Sequence, residues 1–295
     1  MDVKSAILQT YDSTSRCIYG TLFAICAIVT IFGNLILIII FCRPSMRSNS
    51  SRILTSLAVS DLLVGMACIY LCTYHLISDM FTDANSGMTI FIVMSICTNS
   101  SAITLATIAY DRFCKLFPGT YDVRISDLKT KRMIALAWIL PILTQLCLLL
   151  DYLVTITLKV IVVFFAASII AICYRRIGGK IKRDTLNLNN STQDENTKIL
   201  RLQKSKRLAQ RLKILVSVYC ACFIPIIVAV VFSAIAESVP NLDANALVLQ
   251  HLKMIGLLVI AMDSAFNPII HISTNPKMQK LAIKLLSCNS QNGIQ

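Results

Sequence analysis

Long stretches of apolar residues constrain this sequence more than any other feature. A stretch of about 20 apolar residues is long enough to cross the hydrocarbon core of a bilayer as one helix. The 295-residue chain contains such stretches at 17–42, 52–77, 87–112, 133–150, 152–175, 210–236 and 246–272, which we call spans 1 to 7. We therefore predict an all-α membrane protein, a bundle of seven transmembrane helices.

The composition favours a membrane protein over a soluble one. The chain is 56% hydrophobic and 15% charged, with a mean hydropathy of +0.71, whereas soluble domains are about 25% charged. Asp151 and Tyr152 form the only plausible turn between spans 4 and 5, so six crossings remain an alternative if 133–175 bends without crossing. Because that segment is about twice the length of one span, two crossings are favoured.

Outside the spans, residues 1–16 are predicted to form an extracellular tail and residues 288–295 a cytoplasmic one. Between span 7 and the latter, residues 276–287 place apolar side chains on one helical face and lysines elsewhere. This pattern predicts a short amphipathic eighth helix on the membrane surface. Residues from Gly178 to about Lys204 are polar and predict a flexible loop.

Basic residues lie mainly at one end of the spans. Of the 28 Lys and Arg residues, all but Lys4, Arg16, Lys159 and Lys253 flank the connections between spans 1 and 2, 3 and 4, and 5 and 6, or follow span 7. An excess of Lys and Arg marks cytoplasmic loops. We expect a multi-pass plasma-membrane protein with its N-terminus outside and its C-terminus inside. A net charge of +13 also suits a nucleic-acid binder, but charge beside membrane spans argues against a nucleic-acid partner.

The 12 cysteines predict neither a disulfide nor a metal site. None falls in the predicted outer loops 78–86, 150–153 and 237–245, and most lie within spans, where cysteine behaves as a small hydrophobe. No Cys/His spacing is typical of a metal site. Cys288 is a candidate for palmitoylation, and an unmodified cysteine is an equal alternative.

Polar groups within the spans are the candidate functional residues, because they are costly inside a bilayer. A carboxylate at membrane depth, Asp61, could simply pack against Asn34 of span 1. Arg112 at the end of span 3 could simply extend to lipid headgroups. Pro225 removes a backbone hydrogen bond in span 6 and predicts a kink.

Taken in order, these residues resemble the motifs of rhodopsin-like (class A) G protein-coupled receptors. The motifs are Gly33-Asn34, Leu57-Ala-Val-Ser-Asp61, Asp111-Arg112, Trp138, Tyr174, Tyr219 to Pro225 with Phe223, and Asn267-Pro268-Ile-Ile-His271. Gly87 replaces the usual disulfide cysteine, the loop between spans 4 and 5 is almost absent, and Ala166 stands near the usual span 5 proline. This combination looks most like the melanocortin, adenosine, cannabinoid and lysophospholipid group, although the acidic cluster of melanocortin receptors is missing.

The resemblance implies a receptor, not an enzyme, that signals to heterotrimeric G proteins when span 6 moves outward. It implies that Arg112 contacts the G protein, that Asp111 restrains Arg112 at rest, and that Tyr174 approaches Arg112 in the active state. The family's acidic partner on inner span 6 is replaced by Lys204-Ser-Lys-Arg207, so we expect raised basal signalling. The remaining activation residues by resemblance are Tyr219, Phe223, Pro225, Asn267, Pro268 and His271.

The family also binds a sodium ion in mid-bundle, which favours the inactive state. The corresponding residues are Asn34, Asp61, Ser101, Asp263, Ser264 and Asn267. Most members carry one carboxylate there, whereas this chain would have two, and two close carboxylates cannot both stay charged without a cation. Either sodium neutralises them or they share a proton; alternatively, Asp263 points elsewhere and Asp61 acts alone. No other cofactor is expected.

An outward-facing pocket between spans 3, 5, 6 and 7 is expected to bind the ligand. Its expected walls are Phe91, Met94, Ser95, Thr98, Leu158, Lys159, Ile226, Ile227, Val230, Lys253 and Leu257. These are mostly apolar, which favours a lipid-like or small apolar ligand. Lys159, with or without Lys253, would pair an acidic group, or it extends to the outer interface instead.

The sequence also bears on other ligands and on other classes of protein. A peptide is the second candidate ligand. Amine receptors need a carboxylate where Met94 stands and opsins a lysine where Ala261 stands, which argues against both. A transporter or channel would need an inverted repeat or a ring of pore-lining charges, and the sequence has neither. A receptor-like chain that signals without a ligand stays open.

Overall fold

The computed structural model describes residues 13–76, 84–117, 126–147, 152–188 and 246–291, with isolated helical positions at 210, 214, 217, 221 and 228. The described chain is helical apart from its short connections. Most of span 6 and the Lys204–Arg207 region that precedes it lie outside the described residues.

Six spans have described helices. Spans 1, 2 and 3 form Ser13–Cys42, Asn49–Leu76 and Ala84–Leu116, with a 3-10 turn at Pro44–Met46 between the first two. Spans 4, 5 and 7 form Asp127–Leu146, Tyr152–Leu188 and Ala246–Ser273, and the amphipathic helix is Pro276–Gln291. Residues 133–175 therefore belong to two helices, as two crossings require.

The exposed faces of these helices are apolar, as lipid contact requires. Span 1 exposes Ile25 and Phe32, and span 5 exposes Phe164 and Phe165. Within the described chain, the helices of spans 1, 2, 3, 5 and 7 are long and apolar enough to cross a membrane. The span 4 helix has 20 residues and a charged first turn.

Most helices exceed the predicted bounds by up to four residues, including the amphipathic helix, which ends at Gln291 rather than 287, and two helices extend further than that. The span 4 helix starts at Asp127 rather than 133, because the Ser126 side chain accepts a hydrogen bond from the Lys129 N–H and caps it. The span 5 helix continues to Leu188, so the loop prediction was wrong over 178–188. Lys and Arg are good helix formers, and they prolong the helix beyond its apolar part.

The helices enclose two apolar clusters with a polar layer between them. One cluster includes Leu37, Leu57, Ala106 and Ile170 and lies towards the basic end of the bundle, where Arg112 and Arg175 are found. The other includes Phe23, Val64 and Met94 at the opposite end. Span 3 contacts spans 2, 4 and 5, and span 7 contacts spans 1 and 2.

Spans 1 and 7 meet at Gly33. A Cβ atom at this position would lie 2.6 Å from Cγ and 2.8 Å from Cβ of Pro268. The proline ring is stiff, so the two helices would have to separate to accept even a methyl group. The glycine therefore sets how closely the helix carrying Asn267 and Pro268 approaches span 1.

We expect Gly33→Ala to destabilise the bundle by about 1–3 kcal/mol, the usual effect of overpacking. The measurement is the thermal unfolding midpoint of the purified protein in detergent. Gly178→Ala is the matched control, because a Cβ there meets no atom within 4 Å. Equal midpoints for the two variants would contradict the close approach.

Candidate functional site

A buried polar layer surrounds Asp61 of span 2. Asn267 Nδ2 donates to Asp61 Oδ2 at 2.8 Å, and Ser101 Oγ donates to Asp61 Oδ1 at 3.4 Å. Ser60 Oγ lies 2.9 Å from Ser101 Oγ. The Asp61 side chain is fully buried. Spans 2, 3 and 7 are thus joined through one carboxylate.

Span 1 and the second carboxylate lie in the same layer. Asn34 Nδ2 donates to the backbone oxygens of Thr30 at 2.9 Å and Ser264 at 3.3 Å. Asp263 is 8% exposed and close enough to Asp61 for their charges to interact. The structure therefore brings the six residues of the predicted ion site into one region of the bundle.

The chemistry of this layer suits a small hard cation, which binds oxygen ligands. Asp61 and Asp263 supply carboxylate oxygens to this layer, and Ser101 and Ser264 supply hydroxyl oxygens. Among the described residues, buried Asn34 Oδ1 has no hydrogen-bond partner. An acceptor oxygen buried without a donor is costly, and a cation would satisfy it.

Asp111 at the basic end is held by a compact set of contacts. Ser50 Oγ donates to Asp111 Oδ2 at 2.6 Å, and Lys115 Nζ donates to the same oxygen at 2.9 Å. Lys115 Nζ also bonds Ser50 Oγ. Arg112 Nε is 4.0 Å from Asp111 Oδ2, and its side chain is 21% exposed. Asp111 thus has two closer partners than the arginine beside it.

Only part of the predicted activation set can be placed. Tyr174 packs, half-buried, against the apolar cluster at the basic end, and Pro268 is buried against the Gly33 position. His271 is half-buried in the last turn of span 7. Tyr219, Phe223 and Pro225 lie outside the described residues.

The predicted ligand pocket is also partly placed. Lys159 Nζ lies 5.5 Å from the ring centroid of Phe91, which joins spans 5 and 3 by a cation–π contact. Met94 is buried in the cluster against which Leu257 packs, and Thr98 Oγ1 donates to the Met94 carbonyl at 2.7 Å. Ser95 and Leu158 are half-buried. Ile226, Ile227, Val230 and the side chains of Lys253 and Cys288 lie outside the described residues.

Three residues of these networks were not predicted from the sequence: Ser50, Ser60 and Lys115. The Asp111–Lys115 spacing of four residues is a recognisable helical ion pair, so Lys115 could have been found. Ser50 gave no such signal, because it is 61 residues from Asp111 along the chain. For Trp138, the structure favours packing within the bundle over lipid anchoring, since its Nε1 donates to Ser56 Oγ at 2.9 Å.

Comparison with known proteins places this geometry in a family. The sequence matches the 7 transmembrane receptor (rhodopsin family) over residues 33–155 and 149–271. The chain belongs to this receptor family. The family is one of receptors, in line with the expectation that the chain is not an enzyme.

Individual relatives share less than a third of their residues with this chain, over less than half of its length. Muscarinic acetylcholine receptor M3 of Pongo pygmaeus is 29% identical over 119 residues, 39% of this chain and 20% of that protein. The 5-hydroxytryptamine receptor 7 of Xenopus laevis is 28% identical over 137 residues, 45% of this chain and 32% of that protein. The matched regions thus span about a fifth to a third of these relatives' lengths.

A solved structure confirms the predicted seven-transmembrane fold. Squid rhodopsin superposes with a TM-score of 0.72 over 97% of this chain and 89% of its own, at 15% identity. At that identity the likeness concerns the fold alone.

Proposed function

We propose that this protein is a plasma-membrane receptor that passes an extracellular ligand signal to heterotrimeric G proteins. The basic end faces the cytoplasm and the N-terminus lies outside, since Lys and Arg concentrate in cytoplasmic loops. The main support for this proposal is the position of Arg112, which lies at the basic end of the span 3 helix in a rhodopsin-family bundle. The experiment is nucleotide exchange on purified G protein by the reconstituted chain.

The mechanism begins with how Arg112 is held at rest. Because Ser50 and Lys115 take the near oxygen of Asp111, the restraint on Arg112 is weaker than a direct ion pair. Outward movement of span 6, in which Pro225 is predicted to form a kink, would open the basic end. Arg112 would then turn towards the G protein with Tyr174 beside it.

Replacing Lys115 tests this competition for Asp111. In Lys115→Met, Asp111 should close on Arg112, and basal nucleotide exchange should fall about twofold, the scale of a partly exposed ion pair. Lys131→Met is the matched control, because Lys131 forms another i,i+4 pair, with Asp127 at 3.1 Å. A basal rate unchanged or raised in Lys115→Met relative to Lys131→Met would refute the competition.

We further propose that sodium regulates the receptor through the polar layer. Asp61, Asp263, Ser101, Ser264 and Asn34 would hold the ion, and its single positive charge would offset half of the charge of the two carboxylates. Asn267 would stay hydrogen-bonded to Asp61 and so couple the layer to Pro268 and His271. A shared proton is the alternative that balances the same charges.

The proposed ligand is an acidic lipid or a small apolar molecule. The support is the apolar surroundings of Lys159, a cation over the Phe91 ring within the membrane span. Acetylcholine and 5-hydroxytryptamine, for which the relatives are named, are not proposed as ligands of this chain. Met94 is apolar where amine receptors need a carboxylate. The missing span 3 cysteine and near-absent loop between spans 4 and 5 still favour the melanocortin, adenosine, cannabinoid and lysophospholipid group, with a peptide as second candidate.

Lys159→Met should abolish the response to an acidic lipid and spare any uncharged apolar agonist. The measurement is a lysophospholipid and fatty-acid screen of cells expressing wild type and variant at equal surface density. Lys182→Met, an exposed lysine near the other end of the same helix, is the control. Retained responses to every active acid would exclude pairing by Lys159.

A further inference from the structure

A cavity at the basic end of spans 3 and 5 has no role in the function described above. Its volume is about 580 Å³. The span 3 helix contributes Phe113, and Phe117 follows directly after that helix; the span 5 helix contributes Ile172, Arg175, Arg176, Gly179 and Arg183. The cavity therefore combines three arginines with two aromatic rings.

The charge of this cavity is uncompensated within the described chain. None of its three arginines forms an ion pair with a described carboxylate, as judged from the pairs that do form. Lys180 adds a fourth cation, with Nζ 4.8 Å from the centroid of the Phe117 ring. Arginine is suited to bidentate contact with phosphate oxygens, so the chemistry favours a phosphorylated anion.

The helix of span 5 extends this site into the membrane. Residues 165, 169, 172, 176, 179 and 183 follow each other at spacings of three or four, so they lie along one helical face. The first half of this face is exposed and apolar: Phe165 is 64%, Ile169 43% and Ile172 61% exposed. The second half holds Arg176, Gly179 and Arg183. One continuous surface thus offers an apolar strip followed by a basic cavity, the pattern an amphiphile requires.

We infer that this cavity binds the phosphorylated headgroup of an anionic phospholipid, whose acyl chains lie against Phe165, Ile169 and Ile172. The inference rests on the proposed orientation, in which the basic end meets the cytoplasmic leaflet where such lipids concentrate. Gly179 gives the headgroup room, since a Cβ there meets no atom within 4 Å. A soluble anion would use the arginines but leave the apolar strip uncovered.

The test measures lipid binding to the full chain in nanodiscs, which expose both leaflets and need no G protein. Failure of lipid binding is thus distinguishable from failure of signalling. The probe is phosphatidylinositol 4,5-bisphosphate in phosphatidylcholine, with phosphatidylserine at equal charge as comparison. We expect Arg176→Gln/Arg183→Gln to weaken bisphosphate binding about thirtyfold, at about fivefold per cationic side chain near the surface.

Two further variants make the test specific. Lys182→Gln/Lys284→Gln removes the same charge from exposed positions that do not line the cavity, and it should bind within about twofold of wild type if surface charge is secondary. Gly179→Leu fills the cavity without changing charge, in a helix that leucine favours, and should also abolish binding. An equal loss in both double variants, or normal binding by Gly179→Leu, would overturn the inference.

Two other outcomes distinguish a membrane lipid from a soluble phosphate, and a lipid from the G protein, as the occupant of the cavity. Inositol 1,4,5-trisphosphate binding as tightly as the lipid would overturn the assignment to a membrane lipid. Gly179→Leu that weakened G protein binding while leaving lipid binding intact would assign the cavity to the G protein and overturn it as well. Unchanged unfolding midpoints confirm that each variant is folded.

Discussion

Replacing Arg112 by alanine is expected to weaken binding of nucleotide-free G protein about thirtyfold, the loss typical when a hot-spot arginine worth about 2 kcal/mol is truncated. Of Asp111 and Arg112, only the arginine has access to the surface at the basic end of the bundle, since the Asp111 side chain is 2% exposed and that of Arg112 21%. Its contact with a partner would form in a site partly screened from water, where charge-assisted hydrogen bonds are strong. The measurement is the affinity of purified chain for nucleotide-free G protein.

The control for Arg112→Ala is Arg132→Ala. Arg132 lies on the exposed side of the span 4 helix near the same end of the bundle. It carries the same charge and loses the same atoms, so general attraction to the G protein would fall equally in both variants. Equal affinities for the two would show that Arg112 is an ordinary membrane-edge arginine.

The second large effect is expected from the buried carboxylates. Asp61→Asn should remove the dependence of basal exchange on sodium, a coupling that ordinarily amounts to about 5–150-fold. The asparagine keeps the size of the side chain and a hydrogen-bonding oxygen for Asn267, but it removes the negative charge to which both Ser101 and Asn267 donate. We expect the charge left on Asp263, to which neither residue donates in the described chain, not to hold the ion alone. Asp263→Asn should weaken sodium affinity by at least about tenfold, or about 1.4 kcal/mol, because one charge remains.

Sodium and proton titrations of these variants distinguish the possible roles of Asp61 and Asp263: a sodium site, a shared proton, or Asp61 acting alone. If both carboxylates hold the sodium ion, raising sodium should suppress basal exchange in wild type, and Asp263→Asn should shift the curve to higher concentration. If they share a proton, Asp263→Asn should change the pH dependence more than the sodium dependence. Asp184→Asn, an exposed carboxylate on the span 5 helix, is the control. An unchanged response in Asp263→Asn would mean that Asp61 acts alone.

The fold was predictable because the length of each apolar stretch is set by bilayer thickness. The ends of the helices were less predictable. The apolar pattern ends at the edge of the membrane, whereas residues that favour a helix continue beyond it. Ser126 and the basic residues after Tyr174 therefore carried the helices of spans 4 and 5 beyond the predicted limits.

More of the polar layer than of the basic end could be predicted from the sequence. Asp61 and Asn267 stood out because polar side chains in a bilayer need partners, and their hydrogen bond at 2.8 Å joins two predicted residues. The partners of Asp111 were hidden, since Ser50 is an ordinary serine until span 2 packs against span 3. The Gly33–Pro268 approach likewise depends on how two distant helices pack.

Nucleotide exchange by the purified wild-type chain tests the receptor proposal most directly. The chain would be reconstituted in liposomes with one G protein from each major subtype, and GTP analogue uptake would be followed without added ligand. The receptor proposal predicts exchange above the rate of G protein alone for at least one subtype, because the sequence Lys204-Ser-Lys-Arg207 contains no acidic residue that could restrain Arg112. It also predicts that Arg112→Ala returns this rate to that of G protein alone. Rates equal to G protein alone for every subtype, together with ion or solute flux through the same liposomes, would contradict it.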